Sequence, residues 1–138
     1  MKKAESKLYQ EIKKLLPNAH FQRIETSVGL GVPDVNGCLD GIEFWLELKV
    51  SSNKRSVLSK YQKAWIIRRG KAGGRVFILQ KALRQRCLKL YGWQSAMADE
   101  PFSTIPVAVF PFPVDASALK NAILHQQQMV KKHLTFIP

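Results

Sequence analysis

An Asp-Gly pair between two runs of alternating apolar residues constrains this chain more than any other feature. Asp40-Gly41 is the signature of a two-residue hairpin turn, because both positions tolerate positive φ. If Leu39 pairs with Ile42, paired residue numbers sum to 81, and Asp34 falls opposite Glu47. Directly opposed residues have Cβ atoms about 4.5–5.5 Å apart. Two carboxylates at that distance repel unless positive charge lies between them, and a divalent cation with oxygen ligands removes the conflict. A longer loop ending at Gly41 would instead pair Asp34 with Glu43, on the same face as Glu47, so the acidic cluster survives either register. Lys49, two residues after Glu47, shares that face.

The strand 42–50 places Ile42, Phe44, Leu46, Leu48 and Val50 on its other face. Trp45 lies with the charged residues, where a Trp is expected at the edge of a cleft. The residues that follow are basic. Thirteen Lys and Arg, and no acid, lie from Lys49 to Lys89, while seven of the ten acids lie at or before Glu47. With 22 bases the net charge is +12. That footprint points to a polyanion, nucleic acid first. A membrane surface is disfavoured, since the bases are spread over several elements. A length of 138 residues suits one domain with one core. No apolar run reaches transmembrane length, and Met1-Lys2-Lys3 opens no signal core, so a cytoplasmic location is expected. Cys38 and Cys87 have no metal-ligand spacing and read as reduced core thiols; His20, His125 and His133 are too scattered for a zinc site.

Along the chain, residues 2–16 read as a helix ended by Pro17, with Glu5 inside its apolar stripe and Glu11 near the edge. Glu5 has two readings, a site residue or an N-terminal dipole partner of its own helix. Residues 20–27 read as a strand sharing Phe21, Arg23 and Glu25 on one face; Glu25 is a second site candidate or a salt-bridge partner. A basic loop from Ser51 to Val57 carries Lys54 and Arg55. Ser59-Lys60-Tyr61-Gln62 matches a capping box, opening a helix to about Arg69 with Gly70 as its stop. Gln62 is then a cap partner, or a residue beside the site. Strands are expected at 75–80 and 86–93, an extended Pro- and Phe-rich segment at 102–113, and a helix at 116–132 capped by Asp115.

The order helix, three strands, helix, strand, with Gly31-Val32-Pro33-Asp34, Glu47-Leu48-Lys49 and Leu58-Ser59-Lys60-Tyr61-Gln62 in sequence, resembles the PD-(D/E)XK nuclease superfamily. The likeness is to small VRR-NUC-type phage nucleases and archaeal Holliday-junction resolvases, and it covers about residues 5–80. It implies an α/β, restriction-endonuclease-like core (αβββαβ, a mixed sheet flanked by helices) with an extra C-terminal strand and helix. The expected division is a nuclease core over 1–98 and an extension over 99–138, packed on the same domain or on a partner subunit.

The implied activity is Mg²⁺- or Mn²⁺-dependent endonucleolytic hydrolysis of DNA, duplex or branched, in a bacterial or phage-infected cell. Asp34, Glu47 and the Leu48 carbonyl would bind metal. Lys49 would orient the attacking water or stabilise developing charge. The family's first-helix glutamate maps onto Glu5, with Glu11 and Glu25 as competitors. Lys54, Arg55, Lys60, Lys63, Arg68 and Arg69 are the DNA-binding candidates. The alternatives are a sequence-specific restriction or homing-type endonuclease and a non-catalytic DNA-binding module. A binder has no use for an acidic cluster facing phosphate, which disfavours the last. A homodimer is expected, because a two-fold substrate needs two sites and Phe102, Phe110 and Phe112 could pack on a second subunit.

Overall fold

A computed structural model describes residues 2–25, 30–52 and 57–125. In chain order the elements are α1 (Lys3–Leu15), β1 (His20–Arg23), β2 (Val35–Leu39), β3 (Ile42–Ser51), α2 (Lys60–Lys71), β4 (Val76–Ala82), β5 (Cys87–Gly92), β6 (Ala108–Pro111) and α3 (Ala116–His125). Two 3-10 turns, Trp93–Met97 and Pro101–Ser103, lie between β5 and β6. The six strands form one mixed sheet in sequence order. β3 and β4 pair in parallel and every other neighbouring pair is antiparallel. A parallel pair requires a crossover, and α2 supplies it. This is the expected α/β architecture, with the added C-terminal strand and helix.

Both faces of the sheet are covered. On one, Phe44, Leu46 and Leu48 of β3 and Phe77 and Leu79 of β4 pack with Leu8 and Ile12 of α1 and Leu119 and Ile123 of α3. On the other, Val76, Ile78, Tyr91 and Trp93 pack with Ile66 of α2. The alternation along β3 therefore sends Trp45, Glu47 and Lys49 to the α2 face. The hairpin register is the one the Asp-Gly turn sets, running from Leu39↔Ile42 to Val35↔Leu46. Asp40 and Gly41 take φ of 52° and 77°.

The capping box forms in full: the Ser59 hydroxyl accepts from the Gln62 N–H, and the Gln62 side chain accepts from the Ser59 N–H. Asp115 caps α3 by accepting from the Ser117 and Ala118 N–H groups at 2.9 and 3.3 Å. Residues 126–132 of the expected last helix lie outside the described residues, as do Lys54, Arg55 and His133.

Four expectations change. Gly70 does not stop its helix, which runs on to Lys71; it is buried, and a Cβ there would enter the Trp93 ring. The first strand ends at Arg23, whose guanidinium donates to Ser6 Oγ at 3.2 Å. Cys87 is buried, but Cys38 is exposed, because it sits at an outward position of β2 between buried Gly37 and Leu39. The Phe-rich segment is used within the chain. Phe110 is buried in the core with Phe112 against it, and Phe102 meets Tyr91 edge-on at 5.3 Å. Its apolar character thus gives no separate reason to invoke a second subunit.

Candidate active site

The β2–β3 register continues past its last pair. Beyond Val35↔Leu46 comes Asp34, opposite Glu47. β2 has ended there, so the backbone of β3 would be left without a partner. Asp34 takes the place of the missing strand, its Oδ2 accepting from the Leu48 N–H at 2.8 Å. A strand residue's N–H and C=O point to the same side. The Leu48 carbonyl therefore faces the same gap as the Asp34 carboxylate.

Glu47 is 2% exposed. Its Oε2 accepts from Gln62 Nε2 at 3.1 Å and lies 3.7 Å from Lys49 Nζ. Its Oε1 is buried with no hydrogen-bond partner among the described residues. Burial, and next the Asp34 charge, push the Glu47 carboxyl up to about 8, against a smaller opposing pull from Lys49. Gln62 is thus both a cap partner and a residue of the site. Its Oε1 closes the capping box while its Nε2 holds Glu47.

These groups open onto a cleft of ≈460 Å³ lined by Lys2, Glu5, Asp34, Glu47, Lys49 and Gln62, with Leu48 behind them. Gly31 shapes the approach. At φ 81° its backbone lies so close to Tyr61 and Gln62 that a Cβ would collide with them. The loop bearing Asp34 is thereby held against the start of α2.

The three glutamate candidates separate. Glu5 lines the cleft. Glu11 is turned away from it and paired with Lys81 Nζ at 2.8 and 3.0 Å. Glu25 is exposed and does not line the cleft. Trp45 is not at the cleft edge either; it packs against Trp65 at 5.0 Å beneath the Arg69 guanidinium. Arg68 is exposed on α2, Lys60 lies 5.1 Å from the Tyr61 ring, and Lys63 donates to the Asp99 carbonyl at 3.4 Å.

No group of three His, Cys, Asp or Glu side chains converges as a metal cage among the described residues. The donor set is two carboxylates and a carbonyl. Magnesium asks no more of a protein, since it keeps several waters and takes substrate phosphate oxygens. The unpartnered Glu47 oxygen and its displaced proton affinity are what a cation beside Asp34 would relieve, so the residues present fit such an ion.

The fold and cleft place the chain in a class: an α/β fold whose mixed sheet carries adjoining carboxylates where β2 stops and β3 continues. Among solved structures, it is similar to Hjc of Archaeoglobus fulgidus, a Holliday junction resolvase from an archaeal hyperthermophile. The TM-score is 0.52 at 16% identity, over 68% of this chain and 76% of that one. At that identity the likeness is one of fold. No protein-family model matches the chain, and no curated sequence relative matches it. Among the described residues no helix is long and apolar enough to cross a membrane.

Proposed function

We propose that this protein is a metal-dependent DNA endonuclease that hydrolyses phosphodiester bonds in the cleft between α2 and the end of β2. One observation carries the reading: the buried, unpartnered Glu47 oxygen beside Asp34. A fold does not keep two crowded carboxylates in a basic protein for stability, since isolated buried charge is destabilising. The fold likeness to a Holliday junction resolvase makes branched DNA the first substrate to test.

Asp34, Glu47 and the Leu48 carbonyl would hold Mg²⁺ or Mn²⁺. When bound, the ion supplies the positive charge that polarises the phosphodiester and acidifies the attacking water. The remaining roles belong to the chain. Gln62 fixes one Glu47 oxygen and leaves the other without a hydrogen-bond partner among the described residues. Lys49 presents an ammonium to the phosphate, where it orients the water or offsets the charge that builds on the phosphoryl oxygens. Glu5, which lines the cleft, would accept a proton from a cleft water. Water oxygen bonds to phosphorus, the bridging P–O bond breaks, and the departing oxygen takes a proton from solvent.

The test is a panel of junction, forked and linear duplex DNA with Mg²⁺, Mn²⁺ or EDTA. Asp34→Asn keeps an oxygen acceptor for the Leu48 N–H and removes the charge, so it isolates chemistry from folding; Asp34→Ala removes both. Cleavage by wild type with metal, abolished in both variants with DNA affinity retained, is the expected outcome. Undiminished metal-dependent cleavage by either purified variant would sink the site assignment.

A further inference from the structure

Helix α2 has a second functional-looking face, turned away from Gln62. Tyr61, Trp65, Arg68 and Ala72 recur at helical spacing and, with Leu30 and Arg69, line an open groove of ≈480 Å³. An amphipathic helix on a sheet should show polar residues here. Instead Tyr61 is 47% and Leu30 72% exposed, so nothing in the described chain covers them. Cations accompany the rings. Lys60 Nζ lies 5.1 Å from the Tyr61 ring centroid, and the Arg69 guanidinium lies 4.5 Å from Trp65 and 5.5 Å from Trp45. No acidic side chain lines the groove.

Aromatic faces interleaved with cations are what single-stranded nucleic acid stacks on, its bases on rings and its phosphates on Arg and Lys. A protein partner would have to bring its own acids to these bases; a DNA strand carries one charge per phosphate already. The groove and the cleft flank the same first turn of α2: Tyr61 lines one and Gln62 the other, about 100° apart around the helix.

We propose that this groove takes an unpaired nucleobase of a DNA strand whose phosphate lies in the cleft, about one or two nucleotides away. The inference rests on the nuclease reading and narrows its substrate class to DNA with an unstacked base beside the scissile phosphate. Tyr61 supplies the stacking face, Leu30 the apolar wall, and Arg68 the phosphate contact.

The test is binding in EDTA, where no cleavage intervenes. The probes are a forked DNA with 2-aminopurine as its first unpaired base and a blunt duplex of the same sequence. Wild type should quench the fluorophore in the fork and bind the fork about tenfold more tightly than the duplex, the scale of one stacked base. Tyr61→Ala should lose the quenching and most of that ratio, while Tyr61→Phe keeps both. Leu30→Ser, at an exposed position, should lower the ratio by several-fold and serves if Tyr61→Ala does not fold. Equal affinity of wild type for fork and duplex, or a ratio unmoved by folded Tyr61→Ala or Leu30→Ser, overturns the proposal. Cleavage is scored separately with Mn²⁺. Cleavage without fork preference removes the groove and leaves the nuclease. Quenching and preference that depend on Tyr61, in a protein that cuts no DNA, remove the nuclease and leave the groove.

Discussion

Glu47→Gln should stabilise the metal-free protein at neutral and alkaline pH. The folded carboxyl titrates at about 8, against an ordinary value near 4.5 in the unfolded chain. Below about pH 4.5 both states hold the proton, and the residue is as neutral as an amide. Between 4.5 and 8 the unfolded chain releases its proton while the folded one keeps it, so wild-type stability falls as pH rises. Each pH unit in that window is worth about 1.4 kcal/mol. The loss is about 3 kcal/mol at pH 7 and nears 5 kcal/mol once the folded carboxyl has also ionised. Gln has the same shape and no charge, so the variant escapes the loss. At about 3 °C per kcal/mol for a chain of this size, its melting midpoint in EDTA at pH 8 should exceed wild type by roughly 10 °C. At pH 5 the gap should shrink to about 1 kcal/mol or less. Millimolar Mg²⁺ or Mn²⁺ should raise the wild-type midpoint at pH 8 and leave the variant nearly unmoved. Thermal melts by circular dichroism at pH 5 and 8, with and without metal, read all of this. Equal midpoints at pH 8, or a gap that widens as pH falls, would refute the reasoning.

Glu5→Gln should reduce cleavage about a hundredfold, the lower end for a proton-transfer group, while Glu11→Gln leaves it within about twofold and costs at most ~1 kcal/mol, because its partly exposed ion pair with Lys81 is solvent-screened; equal cleavage by the two variants would remove Glu5 from the site. DNA affinity should fall steeply with salt, with a slope of log K against log salt near −5 if about six bases touch phosphate; a titration giving a slope near zero would mean that the basic stretch faces elsewhere. Gly70→Ala should destabilise by about 1–3 kcal/mol, because its Cβ enters the buried Trp93 ring; a denaturant midpoint equal to wild type would show that the helix shifts freely over the turn that carries Trp93.

The parts legible in the sequence were those fixed by local chemistry. Asp40-Gly41 set the hairpin register by one turn type, and that register carried Asp34 to its place beside Glu47. Ser59 and Gln62 declared the start of α2, and Asp115 that of α3. What stayed hidden depended on side chains meeting across the sheet. The helical stripe already put Glu5 ahead of Glu11, but the ion pair that turns Glu11 away from the cleft involves Lys81, seventy positions on, which no helical wheel includes. Gly70 was misread as a stop because glycine has two uses, left-handed backbone and close approach, and only the position of Trp93 tells which applies. The Trp65–Arg69–Trp45 stack was missed for the same reason, although Tyr61 and Trp65 at helical spacing beside Arg68 were a signal in plain view.

The capping box gives this site an unusual economy of parts. A cap normally ends with its own helix. Here the Gln62 amide has two ends, and each is committed: Oε1 to the Ser59 N–H, Nε2 to Glu47. The position of the buried carboxylate is therefore set by where α2 begins. Gly31 presses the Asp34 loop on the same turn of helix, so both carboxylates are referenced to one structural point rather than to two independent loops. That arrangement accounts for how a destabilising carboxylate pair stays in place without a permanent counter-charge between its members. It also implies that a shift of α2 carries the two carboxylates together, Glu47 through Gln62 and the Asp34 loop through Gly31, so that their spacing is kept.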